Sequence, residues 1–160
     1  MKPVFVFFFL LFYAWLTEGR KQFPAQKAQF PHCNNCYAVA AYDIIKYHQP
    51  RLNLTIRDVM VRSGQTCTGG VPTIIFDQFF PRGSRKTSGS LLVLQRILRK
   101  HGPCVVSFGK GHLVVAVSTS KDGAILIRDP ADGLTKRVSS EAFSKRKESL
   151  YFNYIAYPLL

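Results

Sequence analysis

The chain has 160 residues, the length of one domain with a core of ordinary size. Hydrophobic residues make up 47% of it and aromatic residues 13%, a composition that excludes a disordered chain. The formal net charge of +13 favours acidic partners, but the basic residues are scattered and no nucleic-acid-binding motif accompanies them. We therefore expect no specific nucleic-acid site.

Residues 4–16, near the start of the chain, are apolar and carry no charge. This run is too short to span a bilayer comfortably but has the length of the hydrophobic region of a signal peptide, and the small residues Thr17 and Gly19 suit a cleavage site. We therefore expect residues 1–19 to be a signal peptide and residues 20–160 to form one exported domain, with no membrane anchor after cleavage. Export would place the four cysteines in an oxidising compartment.

The segment after Asn34 and Asn35 predicts a helix that carries Cys36 in its first turn. Asparagine is a good N-cap residue, and Pro50 marks the end of the segment. One stripe of side chains recurs at steps of three and four residues, which is typical of a helix with a buried face. Its members are Tyr37, Ala40, Ala41, Ile44, Ile45 and His48.

Four further segments complete the first half of the chain. Residues 54–64 predict a short helix capped by Thr55, and residues 91–102 predict an amphipathic helix that ends at a glycine. Residues 71–80 fit either a helix or a strand. Residues 81–90 are polar and basic, and they predict a mobile loop.

The second half of the chain has the patterns of β-strands. Five short runs are separated by glycine-containing turns or by a short helical segment, SSEAFSK, and they predict mostly antiparallel strands joined as a meander. In chain order the runs are CVVSF, HLVVAVS, GAILIRD, LTKRVS and LYFNYIAY. Helices followed by a sheet indicate an α+β fold.

Three residues in this arrangement can form a nucleophilic site. A thiol becomes a good nucleophile when a helix N-terminus and a nearby imidazole lower its pKa, and Cys36 is expected at such a terminus. His112 begins one predicted strand and Asp129 ends the next, so antiparallel pairing brings them to the same edge of the sheet. The pattern predicts Cys36 as nucleophile, His112 as base and Asp129 as the residue that orients the imidazole.

Three segments resemble a known class of enzymes. HCNNCYAVAAYDIIKYH, together with CTGG, resembles the nucleophile segment and the Cys-x-Gly-Gly turn of papain-like cysteine proteases. GHLVVAVSTSKDGAILIRDPADGLTKRVSSEAF is similar to the leader-cleaving peptidase domains of bacterial peptide exporters and to papain-like effector proteases of plant-pathogenic bacteria. In those proteins a Gly-His-x-Val-Val strand precedes an Asp-Pro-x-x-Gly turn. The resemblance covers about residues 29–143.

The resemblance implies a papain-like α+β fold and hydrolysis of peptide bonds through an acyl-enzyme, with no cofactor and no metal. It assigns Cys36, His112 and Asp129 to the same three roles. It also implies a glutamine that helps form the oxyanion hole, and here that residue is Gln29 or Gln26. Relatives place this glutamine six residues before the nucleophile, whereas here it lies seven or ten residues before. We expect a monomer that acts on protein or peptide substrates, with acidic ones favoured by the net charge.

The same resemblance assigns structural roles to other cysteines. The Cys-x-x-Cys and Cys-x-Gly-Gly segments together imply a disulfide between Cys33 and Cys67, which would leave Cys36 free. Cys104 lies on a β-rich run and is expected in the core.

Three alternatives remain for these residues. A thiol–disulfide oxidoreductase would use Cys33 and Cys36 as its redox pair, with residues 71–73 as a proline segment. It would, however, require a strand before the cysteine pair and would leave His112 and Asp129 without a task. An inactive papain-like binding module would keep the fold without the chemistry. A zinc site fits poorly, because beyond the first pair the cysteine spacing matches no standard pattern.

Overall fold

The structure is a computed structural model in which helices pack against both faces of one antiparallel sheet. The residues that it describes are 23, 33, 35–64, 67, 72–108, 111–145 and 150–156. The predicted signal peptide, Gln26 and Gln29 lie outside them. No helix in the described part of the chain has the length and apolar character needed to cross a membrane.

The predicted order of helices followed by a sheet is confirmed, and the fold is α+β. The helices are α1 (Cys36–His48), α2 (Ile56–Arg62), α3 (Pro72–Phe79), α4 (Leu91–His101) and α5 (Ser140–Ser144). The strands are β1 (Ser84–Gly89), β2 (Cys104–Phe108), β3 (His112–Thr119), β4 (Ile125–Asp129), β5 (Leu134–Val138) and β6 (Leu150–Ile155).

Helix α1 is the centre of the fold. All of its residues from Cys36 to Ile45 are buried, so the helix is enclosed on nearly all sides rather than on one predicted stripe. It packs against β3, α2 and α3. Helix α2 begins with the predicted cap, because the Thr55 hydroxyl accepts a hydrogen bond from the backbone N–H of Asp58 and the Asp58 carboxylate accepts one from the N–H of Thr55.

The strand order in the sheet is β1-β6-β2-β3-β4-β5. Strands β2 to β5 form the predicted meander, whereas β6 returns to lie between β2 and β1. The mobile loop predicted over residues 81–90 is wrong, because Ser84–Gly89 pair with β6 along the strand's whole length. This strand lies at the edge of the sheet and has no apolar alternation, so its pairing depends on the distant β6 rather than on its own sequence.

Alternate residues of the central strands supply two cores, one on each face of the sheet. Val105 and Val115 face α1, while Val106 and Val114 face the core beneath α4. Cys104 lies fully buried in the second core, as predicted. Burial raises the pKa of the Cys104 thiol, so it remains a neutral packing residue.

Candidate active site

Cys36 is the first residue of α1. The backbone N–H groups in the first turn of a helix have no partner within the helix and point out of its N-terminus. Its side chain is buried and its thiol is free. The sulfur lies 3.9 Å from the carbonyl oxygen of Gly111, to which the thiol can donate. The imidazole of His112 and the backbone N–H groups of Leu113 and Tyr37 also act on the sulfur and lower the pKa of the thiol. This environment favours the negatively charged form of the thiol.

His112 and Asp129 meet at one edge of the sheet, as predicted. Val115 pairs with Arg128, so Asp129 lies at the level of Val114 on the neighbouring strand. His112 precedes Val114 by two residues and therefore lies on the same face of the sheet. Nε2 of His112 is 2.8 Å from Oδ1 of Asp129. Because Asp129 occupies Nε2, Nδ1 is the ring nitrogen that remains for the sulfur of Cys36.

The pKa shifts of the thiol and the imidazole have opposite signs. Burial raises the pKa of Cys36, but the hydrogen bond and charge of His112 and the backbone hydrogen bonds outweigh it, so that pKa is lowered. The hydrogen bond to Cys36 raises the pKa of His112 against the effect of burial, and Asp129 raises it further. Together the shifts favour a thiolate–imidazolium pair.

The carboxylate of Asp129 is held by more than the histidine. Oδ1 also accepts a hydrogen bond of 3.0 Å from the backbone N–H of Ala131, and Oδ2 lies 3.0 Å from Nζ of Lys136. Burial alone would raise the pKa of Asp129, but these donors and His112 together lower it. Asp129 is therefore an anion that can orient the imidazole.

A disulfide joins Cys33 to Cys67 across a sequence separation of 34 residues. It fixes the chain three residues before Cys36 and leaves that thiol free. The redox pair that an oxidoreductase would need is therefore not available, because the sulfur of Cys33 is already bonded to Cys67.

The sequence matches no family model and no curated protein. Solved structures do resemble it. One is a double glycine motif protease from an AMS/PCAT transporter in complex with the leader peptide, with 20% identity, a TM-score of 0.58 and coverage of 86% of this chain and 96% of that chain. Another is the peptidase domain of Streptococcus ComA, a bifunctional ABC transporter involved in quorum sensing, with 18% identity, a TM-score of 0.60 and coverage of 81% and 97%.

A third is a C39-like peptidase from Bacillus anthracis, with 13% identity, a TM-score of 0.58 and coverage of 83% and 94%. The chain has the fold of these peptidase domains. The papain-like fold that the sequence predicted, close to the exporter leader peptidases, is therefore confirmed. The similarity extends over nearly the whole of each solved domain.

A buried ion pair next to the site was not predicted from the sequence. Asp43 on α1 accepts hydrogen bonds of 2.8 Å from Nε and 3.3 Å from Nη2 of Arg128, the residue before Asp129. Burial raises the pKa of Asp43 to about 6 although Arg128 opposes the shift. The guanidinium of Arg128 also lies 4.8 Å from the ring centre of Phe23. The sequence contains one indication of this pair, because Asp43 and Arg128 have opposite charges and each interrupts an apolar run.

The contact of Lys136 with Asp129 was also missed. It depends on the register of β4 with β5, which the sequence does not specify. Within the residues that the structure describes, no three histidine, cysteine, aspartate or glutamate side chains are grouped as ligands for a metal ion.

Proposed function

We propose that this chain is a cysteine peptidase in which Cys36 is the nucleophile, His112 the general acid and base, and Asp129 the orienting residue. One observation carries the proposal: the Cys36 thiol, at a helix N-terminus, has its pKa lowered by His112, whose Nε2 is 2.8 Å from Oδ1 of Asp129. The peptidase fold of the similar solved structures supports it.

In the first half of the reaction, the thiolate of Cys36 attacks the carbonyl carbon of the substrate's peptide bond. The imidazolium of His112 then gives its proton to the departing amine, and an acyl-enzyme thioester remains on the cysteine. In the second half, His112 removes a proton from water, and the hydroxide attacks the thioester. The carboxylic acid product leaves and the thiolate–imidazolium pair forms again.

Stabilisation of the negative oxygen is assigned to two donors. One is the backbone N–H of Cys36 at the start of α1, where the helix dipole also favours negative charge. The other is the side-chain amide of Gln29 or Gln26. Asp129 holds Nε2–H of His112, and this contact keeps Nδ1 directed at the sulfur during both proton transfers.

The proposed substrate is a peptide segment, and the proposed place of action is outside the cytoplasm. One similar protease was solved with a bound leader peptide, which supports a peptide substrate for this fold. The net charge of +13 favours an acidic peptide. The apolar segment at residues 4–16 supports export with removal of residues 1–19. The form that we propose for the exported chain is a monomer.

The first experiment is labelling with an iodoacetamide probe under non-reducing conditions, followed by mapping of the labelled residue. We expect label on Cys36, and loss of both label and peptide hydrolysis in Cys36→Ala. Cys104→Ala is the matched control, because it removes the only other free thiol among the described residues and should leave both unchanged. Full hydrolysis by a folded Cys36→Ala protein would contradict the proposal.

A further inference from the structure

Both oxygens of the Asp129 carboxylate are occupied, and only one of them serves His112. Oδ1 accepts from Nε2 of His112, and Oδ2 lies 3.0 Å from Nζ of Lys136. The ammonium of Lys136 is held from its other side by Oδ2 of Asp132, at 2.5 Å. The lysine is therefore a bridge between two carboxylates, one of which contacts the candidate base.

The sheet register explains why this lysine can reach the site. Strand β5 pairs with β4 so that Lys136 lies opposite Ile127, two residues from Asp129. Positions two residues apart on a strand share a face, so the side chain of Lys136 extends diagonally along that face to the carboxylate. Asp132, in the turn between the two strands, approaches the same ammonium group from the chain segment that joins them.

We propose that Lys136 is a positioning residue for the triad, which locks the Asp129 carboxylate in the orientation that His112 needs and offsets part of its charge. This inference rests on the proposed function of Cys36, His112 and Asp129. A carboxylate held only by the imidazole and one backbone N–H could rotate about its Cβ–Cγ bond, and a donor on the second oxygen prevents that rotation. Lys136 also separates the like charges of Asp129 and Asp132.

The charged and titratable groups around His112 in the described part of the chain are few. Cys36 approaches from α1, Asp129 from the end of β4, and Lys136 from β5 with Asp132 behind it. Removing the positive charge of Lys136 makes the thiol harder to ionise and the imidazolium harder to deprotonate. Both limbs of the activity profile should therefore move to higher pH.

The size of the shift follows from Coulomb's law. Removing one unit charge about two hydrogen-bond lengths away, in a medium of high dielectric constant, moves a pKa by about half a unit. The loss of activity at high pH follows the deprotonation of His112, and its midpoint should move by about that amount. The rise of activity at low pH follows the ionisation of Cys36, which is more distant, and its midpoint should move by less. Loss of the fixed carboxylate should also lower kcat by roughly tenfold, with KM little changed.

The test compares Lys136→Met, Lys136→Arg and Arg137→Met in pH profiles of kcat and kcat/KM on a peptide that the wild type cleaves. Arg137 is the neighbouring residue on the same strand, its side chain is exposed and paired with Asp122, and its replacement removes the same charge. In Lys136→Met we expect the shift of the pH profile and the lower kcat. Lys136→Arg should recover kcat, and Arg137→Met should have the wild-type pH profile. A wild-type profile in Lys136→Met, or an equal shift in Arg137→Met, would overturn the inference.

The pH dependence of iodoacetamide alkylation at Cys36 separates this inference from the proposed function, because it needs no substrate. If alkylation of wild-type Cys36 shows the pKa of an ordinary thiol, both the proposed function and the inference are wrong. If the wild-type pKa is lowered but Lys136→Met does not change it, only the inference is wrong. Circular dichroism confirms that each variant is folded, and Lys136→Gln replaces Lys136→Met if that variant does not fold.

Discussion

Removing the disulfide should cost a large part of the stability of this domain. We consider the double variant Cys33→Ser/Cys67→Ser, because a single substitution would leave an unpaired thiol that can react with Cys36. The bridge spans a sequence separation of 34 residues. The chain-entropy relation for closing a loop of that size gives about 4 kcal/mol of stabilisation at 25 °C, through restriction of the unfolded chain.

The assay is urea unfolding followed by far-ultraviolet circular dichroism, with the free energy of unfolding extrapolated to zero denaturant. We expect the double variant to lie about 4 kcal/mol below the oxidised wild-type protein. Reduction of the wild type with dithiothreitol should produce the same loss, whereas the double variant should not respond to the reductant. A difference below about 1 kcal/mol would refute the reasoning, because the bridge would then constrain little of the unfolded chain.

Further predictions concern the site and the charges. His112→Ala should raise the pKa of Cys36 towards about 8.5, as measured by the pH dependence of alkylation. An unchanged pKa would show that His112 does not interact with the thiol. Arg128→Met should lower the free energy of unfolding by about 3–5 kcal/mol, because it leaves Asp43 buried without its counter-ion. Arg128→Met/Asp43→Leu should recover most of that loss, and an equal loss in both variants would contradict the explanation. For an acidic peptide, kcat/KM should fall as salt is added, since charges are screened beyond about 8 Å at physiological ionic strength, and a salt-independent value would exclude steering by the net charge.

Local patterns were sufficient to predict most of the elements. The stripe of apolar residues located α1, the Thr55 cap located α2, and the glycine-containing turns separated strands β2 to β5. Residues 72–79 were ambiguous because a short apolar run fits a buried helix as well as a strand. Strand β1 and the position of β6 were not predictable, because both depend on pairing between segments that are far apart in the sequence.

The candidate site divides in the same way. Cys36, His112 and Asp129 lie at the ends of elements, so their meeting follows once the helix start and the strand order are known. The contacts of Lys136 and Arg128 depend on which face of a strand each residue occupies, and that is a property of the register. A sequence pattern shows that apolar and polar residues alternate along a strand. It shows which residues of two strands pair only where a short turn joins those strands.

The buried ion pair and the candidate triad depend on the same register. Asp43 lies seven residues after Cys36, about two turns along the same side of α1, and Arg128 directly precedes Asp129. A slip of β4 by one residue would turn Arg128 away from α1 and carry Asp129 to the opposite face, away from His112. Such a slip would leave Asp43 buried without a counter-ion, at a cost of several kcal/mol. Whatever the pair adds to net stability, it therefore penalises the misaligned sheet in which His112 would lose its orienting carboxylate.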